Sequence, residues 1–266
     1  ETLAQIQQGE FYQANITRKF YGEFETAPTP FALYQQLAES SFAAYSAFLN
    51  LGGQAILSSS PESFLQIDNV GKVSARPIKG TARRSVNAQQ DAAIYKELAE
   101  STKNRAENLM IVDLMRHDLS QSCVAGSIQV DQLFNITEHP HLYHMVSTIS
   151  GQKKNDVSSL DLIQSCFPPG SMTGAPKRSA IEWCQQKEAM QRGIYSGALG
   201  WIDGDGSAEL SVVIRTLLLE NNRFEFQVGG GIVADSTTES EWEETLTKAL
   251  GIARILGISL QHLQEI

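Results

Sequence analysis

No apolar run in the sequence approaches the roughly 18–20 residues that a membrane-spanning helix needs, so no membrane span is expected. Cysteine is scarce. Cys123, Cys166 and Cys184 make neither a C-x-x-C pair nor a disulfide-type array, so a reducing cytoplasm is the expected compartment. Basic residues are outnumbered: 21 Lys and Arg stand against 30 Asp and Glu, a net charge of -9. That excludes non-specific nucleic-acid binding, which needs a basic footprint. It leaves small anionic substrates open, because they respond to the field inside a cleft. Internal repeats and low-complexity linkers are missing, and the opening ETLAQIQQGE lacks the charged-then-apolar pattern of a targeting segment.

What is present suits a globular chain with a sizeable core: 266 residues, 42% apolar, 19% charged and 8% aromatic. The first half reads as a strand meander, YSAFLNL, QAILSSS, SFLQI and KVSARPI, separated by Gly52-Gly53, Pro61-Glu62 and Asp68-Asn69. One long helix is predicted from about Ala88 to Met115. Late in the chain GALGWID turns at Gly204-Asp205-Gly206 into SAELSVVIRTLLLE, and Asn221-Asn222 turns into the alternating RFEFQV. A final helix is predicted from about Ser236, with Ser236-x-x-Glu239 as a capping box. Strand runs interrupted by helix blocks point to an α+β fold with large antiparallel sheets. Nothing marks a boundary, so residues 1–266 read as one domain.

On the final helix Trp242, Leu246, Ala249, Leu250 and Ala253 share an apolar face, while Glu241, Glu244 and Lys248 share another. The acidic face is either a solvated surface or part of a site. Gly229-Gly230-Gly231 precedes this helix, and such a run serves either a tight turn or the close approach of an anion. AENLMIVDLM is apolar nearly all round and reads as buried, which puts Glu107 and Asp113 inside protein. They are then either paired with Arg105 or Arg116, or hard oxygen ligands for Mg²⁺. Lys79, between Ile78 and Gly80, either snorkels to water or, if desolvated, becomes a nucleophile. FPPGSMTGAPK lacks P-loop spacing, and is an active-site loop or plain turn chemistry. His144 is a satisfied histidine or a site residue.

Taken together, YQANITR, SSSPESF, RPIKGT, KNRAENLMIVDLMRHDL, HMVSTI, FPPGSMTGAPK, RGIYSGALGW, VVIRT and GGGIVADSTTESEWEETLTKA resemble the chorismate-utilising enzymes. Members of that family make anthranilate, aminodeoxychorismate, isochorismate or salicylate. The stretches run in family order from about residue 11 to about residue 250. The resemblance implies two large antiparallel β-sheets packed as a sandwich with helices outside. It assigns Mg²⁺ to Glu107 and Glu244, with Glu241 close by or acting through water. It makes Glu62 the general acid for the departing C4 hydroxyl. Tyr195 and Arg215 are implied to hold the enolpyruvyl carboxylate, and Gly229, Gly230, Gly231 and Lys248 the carboxylates. His144, Thr81 and Gly80 are implied to lie beside the reacting ring.

Two positions bear on the branch of the family. Water-using members resemble one another in a lysine base where this chain has Gln13. The anthranilate-forming members typically have alanine where this chain has Lys79. Lysine there resembles the branch that aminates C4 to give 4-amino-4-deoxychorismate, with the lysine amine adding at C2 as covalent catalyst. The implied partner is a separate glutamine amidotransferase subunit that delivers ammonia, since none of the cysteines sits in a G-x-C-x-G context. The anthranilate branch and a non-catalytic amidotransferase scaffold are the alternatives. The chain departs from the family pattern at Asn104, at Arg116-His117-Asp118, at Ser120 and at Pro169, none of them an implied direct ligand. A region of about 150–200 residues, a domain's worth, usually precedes these motifs in the family and is expected to lie outside this chain.

Overall fold

The computed structural model describes residues 1–41 and 43–265. Among them the strands are, in chain order, β1 (Gln13–Glu23), β2 (Tyr45–Asn50), β3 (Gln54–Ser60), β4 (Ser63–Ile67), β5 (Lys72–Arg76), β6 (Ile78–Arg83), β7 (Gln129–Glu138) and β8 (Leu142–Gln152). They continue with β9 (Gly174–Ala175), β10 (Ala198–Ile202), β11 (Ala208–Val212), β12 (Thr216–Glu220) and β13 (Arg223–Ile232). The helices are α1 (Thr2–Gln7), α2 (Pro30–Ser40), α3 (Ala88–Glu100), α4 (Thr102–Ser122), α5 (Ser159–Cys166), α6 (Lys177–Lys187), α7 (Thr238–Ile255) and α8 (Leu260–Glu265). The expected α+β class with two large antiparallel sheets and peripheral helices is what forms. The chain divides into two compact units, one of residues 1–62, 172–199 and 211–266, the other of residues 63–171 and 200–210.

The first unit holds a six-stranded sheet in the order β2-β3-β12-β13-β1-β9. β1 and β13 pair along their whole length, Ala14 opposite Ile232 and Glu23 opposite Arg223. Phe20, Phe226, Val228, Leu57, Leu217 and Leu219 point from one face of this sheet into a core closed by Leu33 and Leu37 of α2 and by Leu246, Ala249, Ile252 and Ala253 of α7. Removing this apolar surface from water is what holds the two helices on the sheet. Of the predicted apolar face, Leu246, Ala249 and Ala253 are buried, but Trp242 is exposed. Its indole instead lies 3.9 Å from the Arg18 guanidinium carbon, a cation–π contact.

The second unit is built on a seven-stranded sheet, β10-β11-β4-β5-β8-β6 with β7 also on β8. β5 pairs with residues 149–152 of β8 and β6 with residues 142–146. Pro77 between them carries the chain from one half of β8 to the other. α3 and α4 pack on this sheet, with Ile111, Val112, Met115 and Leu119 of α4 buried.

Four local expectations change. The predicted single helix is two, because Ser101 turns extended (ψ 108°) and caps α4, accepting the Asn104 N–H. SAELSVVIRTLLLE is two strands rather than one. Val213 pairs with Ser196 and Gly197, and Arg215 takes a left-handed φ of +49°. α7 is capped by Thr237, which accepts the Ser240 N–H, and not by Ser236. Asp113 is exposed, not buried, and pairs with Arg116 at 2.9 Å.

Candidate functional site

In the first unit the glycine triplet is strand, not the mouth of a helix. Gly229, Gly230 and Gly231 are the last turns of pairing in β13, opposite Thr17, Ile16 and Asn15, and α7 starts well after them. Alternation sends them to different faces. A Cβ on Gly231 would collide with the Gln13 amide, and one on Gly229 would sit 2.5 Å from the Thr17 methyl carbon. On the other face, a Cβ on Gly230 would lie 2.8 Å from Glu241 Oε2 and 4.0 Å from Glu244 Oε1. The missing side chains therefore make room for Gln13, Thr17 and Glu241. Gln13 itself is wholly buried, and among the described residues neither end of its amide has a hydrogen-bond partner.

Glu241 and Glu244 lie one turn apart on α7, so both carboxylates reach the space above Gly230. Glu241 is buried, and one of its oxygens accepts from Ser236 Oγ at 2.7 Å, which in turn accepts the Val233 N–H. Lys248 bonds Glu244 at 2.6 Å and the Gly229 carbonyl at 2.8 Å. Two hard carboxylates, one pinned by a hydroxyl and one by a lysine, suit a cation such as Mg²⁺. Among the described residues no group of three or more His, Cys, Asp or Glu side chains is gathered as a metal cluster.

The same unit carries Glu62, Tyr195 and Arg215. Glu62 ends β3's connection, is buried, and accepts the Val212 N–H through its carbonyl at 3.0 Å. Its charge acts on both Tyr195 and Arg215. Burial pushes the Tyr195 phenol far above the usual tyrosine range, so Tyr195 is a neutral hydrogen-bond donor at ordinary pH. Burial pulls the Arg215 guanidinium down, and Glu62 opposes that pull. Ser196 (φ +65°) and Arg215 (φ +49°) both adopt the left-handed region, which costs a non-glycine residue roughly 1–3 kcal/mol. Two such residues beside the buried Tyr195 and Glu62 mark this segment as one shaped for something other than stability.

In the second unit Lys79, Gly80, Thr81 and His144 come together at the β6–β8 ladder. Ile78 faces Val146 and Thr81 faces His144, so β6 has one residue too many and bulges at Lys79–Gly80. Gly80 supplies the bulge with φ +91°. Its bare Cα does not open onto empty space: a Cβ there would meet Asn104 at 3.0 Å and Leu98 at 3.1 Å. The bulge re-aims Lys79, whose ammonium donates to the Ser171 carbonyl at 3.4 Å. Thr81 Oγ1 bonds His144 Nδ1 at 2.8 Å and so orients a buried imidazole. Glu107 lies on α4, its side chain mostly buried, 3.9 Å from Lys103 rather than beside Arg105.

One constellation was not legible in advance. Arg192, inside the motif RGIYSGALGW, forms a part-buried fork with Glu188, at 2.5 and 2.8 Å. The spacing of four between Glu188 and Arg192 was the available signal.

The chain is of α+β architecture, with a glycine-lined strand pair in the first unit and a lysine-bearing bulge in the second. Residues 1–254 match the chorismate binding enzyme family, and the chain belongs to it. It is similar to "Aminodeoxychorismate synthase" of Streptomyces griseus, 42% identical over 95% of this chain and 35% of that protein. It is 40% identical to "Aminodeoxychorismate synthase component 1" of Escherichia coli K12, over 96% of this chain and 57% of that one. The crystal structure of anthranilate synthase component I from Streptococcus pneumoniae superposes with a TM-score of 0.85 at 30% identity, over 95% of this chain and 55% of that one. The chain thus spans from about a third to somewhat over half the length of these relatives.

Proposed function

We propose that this chain replaces the C4 hydroxyl of chorismate with ammonia, giving 4-amino-4-deoxychorismate and water, as the synthase part of aminodeoxychorismate formation on the way to p-aminobenzoate and folate. The observation that carries the reading is Lys79, set by a β-bulge next to the Thr81–His144 pair; the reading requires an amine nucleophile, and Lys79 is its candidate. Gln13, buried in β1, is no base at neutral pH, which favours ammonia over water as the final nucleophile. The relatives named aminodeoxychorismate synthase support the same branch.

In this reading the neutral Lys79 amine adds to C2, both ring double bonds shift around the side away from C3, and the C4–oxygen bond breaks with a proton from Glu62, releasing water. Ammonia then forms a bond to C4 and loses a proton, both double bonds shift back, and the C2–nitrogen bond to Lys79 breaks. Two easier displacements replace one difficult one. Tyr195, kept neutral by burial, and Arg215 bind the enolpyruvyl carboxylate. Lys248 holds Glu244 and the Gly229 strand in place. Mg²⁺, for which the resemblance assigns Glu107, Glu241 and Glu244, would neutralise the ring carboxylate and act as a Lewis acid when bound. Ammonia would come from a glutamine amidotransferase partner. No helix among the described residues is long and apolar enough to cross a membrane, and the three cysteines are free, which suits the cytoplasm.

The test is mass spectrometry of protein quenched with chorismate and Mg²⁺ in the absence of ammonia. A chorismate-derived mass on the peptide containing Lys79 is expected, together with a large loss of turnover in Lys79→Ala. An unmodified peptide and an unimpaired variant would remove Lys79 as nucleophile. With an ammonium salt present, an amino group at C2 instead of C4 in the product would return the chain to the anthranilate branch.

A further inference from the structure

β9 is only two residues long and pairs with β1 at Gln13 and Ala14. Beyond it the outer edge of β1 should present bare backbone groups, which cost stability when buried. Two of them are occupied by side chains. Arg192 Nη2 donates to the Asn15 carbonyl at 2.7 Å, and Glu188 Oε1 accepts the Thr17 N–H at 3.1 Å. The Arg192–Glu188 fork thus stands in for the next stretch of a neighbouring strand. The same guanidinium reaches two further acceptors through Nη1: the Met172 carbonyl at 2.7 Å and Ser196 Oγ at 3.1 Å. Its five donors are all committed, which only a planar guanidinium can do.

The acceptors belong to three separated pieces of chain. Asn15 lies in β1, the strand that begins at Gln13, as does Thr17, whose N–H donates to Glu188. Met172 ends the loop that leads to β9. Ser196, in its left-handed conformation, is next to Tyr195, and the Tyr195 N–H is held by the Arg192 carbonyl at 3.2 Å. Both partners are sheltered, their side chains 17% and 7% exposed, so the pair is rigid rather than a solvated surface bridge.

We propose that Arg192, locked by Glu188, is a positioning residue that fixes the Tyr195–Ser196 segment against β1 and so sets the geometry in which the site receives a carboxylate of its substrate. This deepens the chorismate reading and rests on it for the identity of that carboxylate. Arg192 touches no reacting atom in this account. It acts by holding Tyr195. Glu188 supplies the opposite charge and the acceptor that keep the fork from swinging away.

The test compares Arg192→Lys and Glu188→Gln with the intact chain. Arg178→Ala serves as control, since it removes a solvent-exposed ion pair with Glu182 on the same helix. The expected result is a rise in KM for chorismate of about tenfold or more with a smaller change in kcat, since misplacing a binding group weakens its contact before it touches the chemistry. Guanidinium added to Arg192→Ala should recover part of the loss. Amide hydrogen exchange supplies a readout that needs no substrate. Residues 194–197 should exchange about tenfold faster or more in Arg192→Lys while α7 and β13 keep their protection. Unchanged exchange at 194–197 would overturn the proposal, and so would an unchanged KM in a folded Arg192→Lys. Loss of protection throughout the first unit in both variants would also overturn it, by making the pair a general folding element. Failure of the intact chain to turn over chorismate would defeat the substrate reading alone, and the exchange result would still decide the positioning role.

Discussion

Gly230→Ala tests whether the bare Cα of β13 exists to seat Glu241. The added Cβ would lie 2.8 Å from Glu241 Oε2, closer than real Cβ atoms approach an oxygen. The carboxylate has to retreat by roughly 0.6 Å to reach ordinary contact. A surface glutamate would do so freely. Glu241 is buried, and its other oxygen is tied to Ser236 Oγ at 2.7 Å. Losing a hydrogen bond to a charged group costs about 1.5–3 kcal/mol. Replacing glycine by alanine within a strand returns about 0.5–1 kcal/mol of chain entropy. The net expectation is a loss of about 1–2 kcal/mol, or a fall in Tm of roughly 2–8 °C for a chain of this size. If Glu241 and Glu244 hold Mg²⁺, disturbing the support of one ligand should weaken Mg²⁺ binding about 10–100-fold. Differential scanning calorimetry and calorimetric Mg²⁺ titration read the two effects. Gly204→Ala, where a Cβ meets nothing within 4 Å, is the control. A Gly230→Ala protein with unchanged Tm and unchanged Mg²⁺ affinity would refute both the steric argument and the assignment of Glu241.

Glu244→Gln should abolish Mg²⁺-dependent turnover while circular dichroism stays native; normal activity at limiting Mg²⁺ would remove Glu244 from the ligand set. Hydrogen bonds from Arg84 and then Tyr143 hold the Asp91 carboxyl at about 2, below the usual carboxylate range. Its folded value is depressed, so its contribution is complete above about pH 4 and is lost as pH falls toward 2. Tyr143→Phe, which removes the bond of 2.6 Å, should therefore move acid unfolding to higher pH, and an unmoved acid transition would show that the network is idle. Cys123, Cys166 and Cys184 are buried, and burial pushes the Cys184 thiol up to about 11. At pH 8 all three should react with a thiol reagent only as fast as the protein unfolds; prompt labelling of native protein would contradict their burial.

Much of the fold could be read from local pattern. The hairpins β2–β3 and β4–β5, the hairpin at Asn221-Asn222 and the apolar stripe of α7 follow from alternation, turn residues and helical periodicity, all properties of neighbours in the chain. The expected single meander instead divides, β3 pairing with β12 in one sheet and β4 with β11 in the other. The candidate residues could be named as well, because the motifs around Lys79, Glu107, Tyr195 and Glu244 are contiguous. The errors fall where local and distant demands conflict. Ser101 breaks a run that is helical by pattern, because its side chain caps the helix that follows. Arg215 breaks a run that is strand by pattern, because Val213 is claimed by Ser196 and Gly197 and the chain must leave one sheet for the other. Asp113 looked buried because its neighbours are apolar, yet the direction in which it points was set by which face of α4 met the sheet.

The residue types and their order along the chain were determined by the sequence alone: an α+β chain with a lysine, acidic pairs, and a glycine triplet in an acidic protein. What each glycine is for was decided only by tertiary structure. The triplet lacks side chains because Gln13, Thr17 and Glu241 occupy that space, and Gly80 lacks one because Asn104 and Leu98 do. The same holds for Arg192, whose acceptors lie on β1, at Met172 and at Ser196. Periodicity reports which face a residue shares with its neighbours. It carries no information about which distant atom will stand opposite, because steric exclusion and hydrogen bonding act through space rather than along the chain.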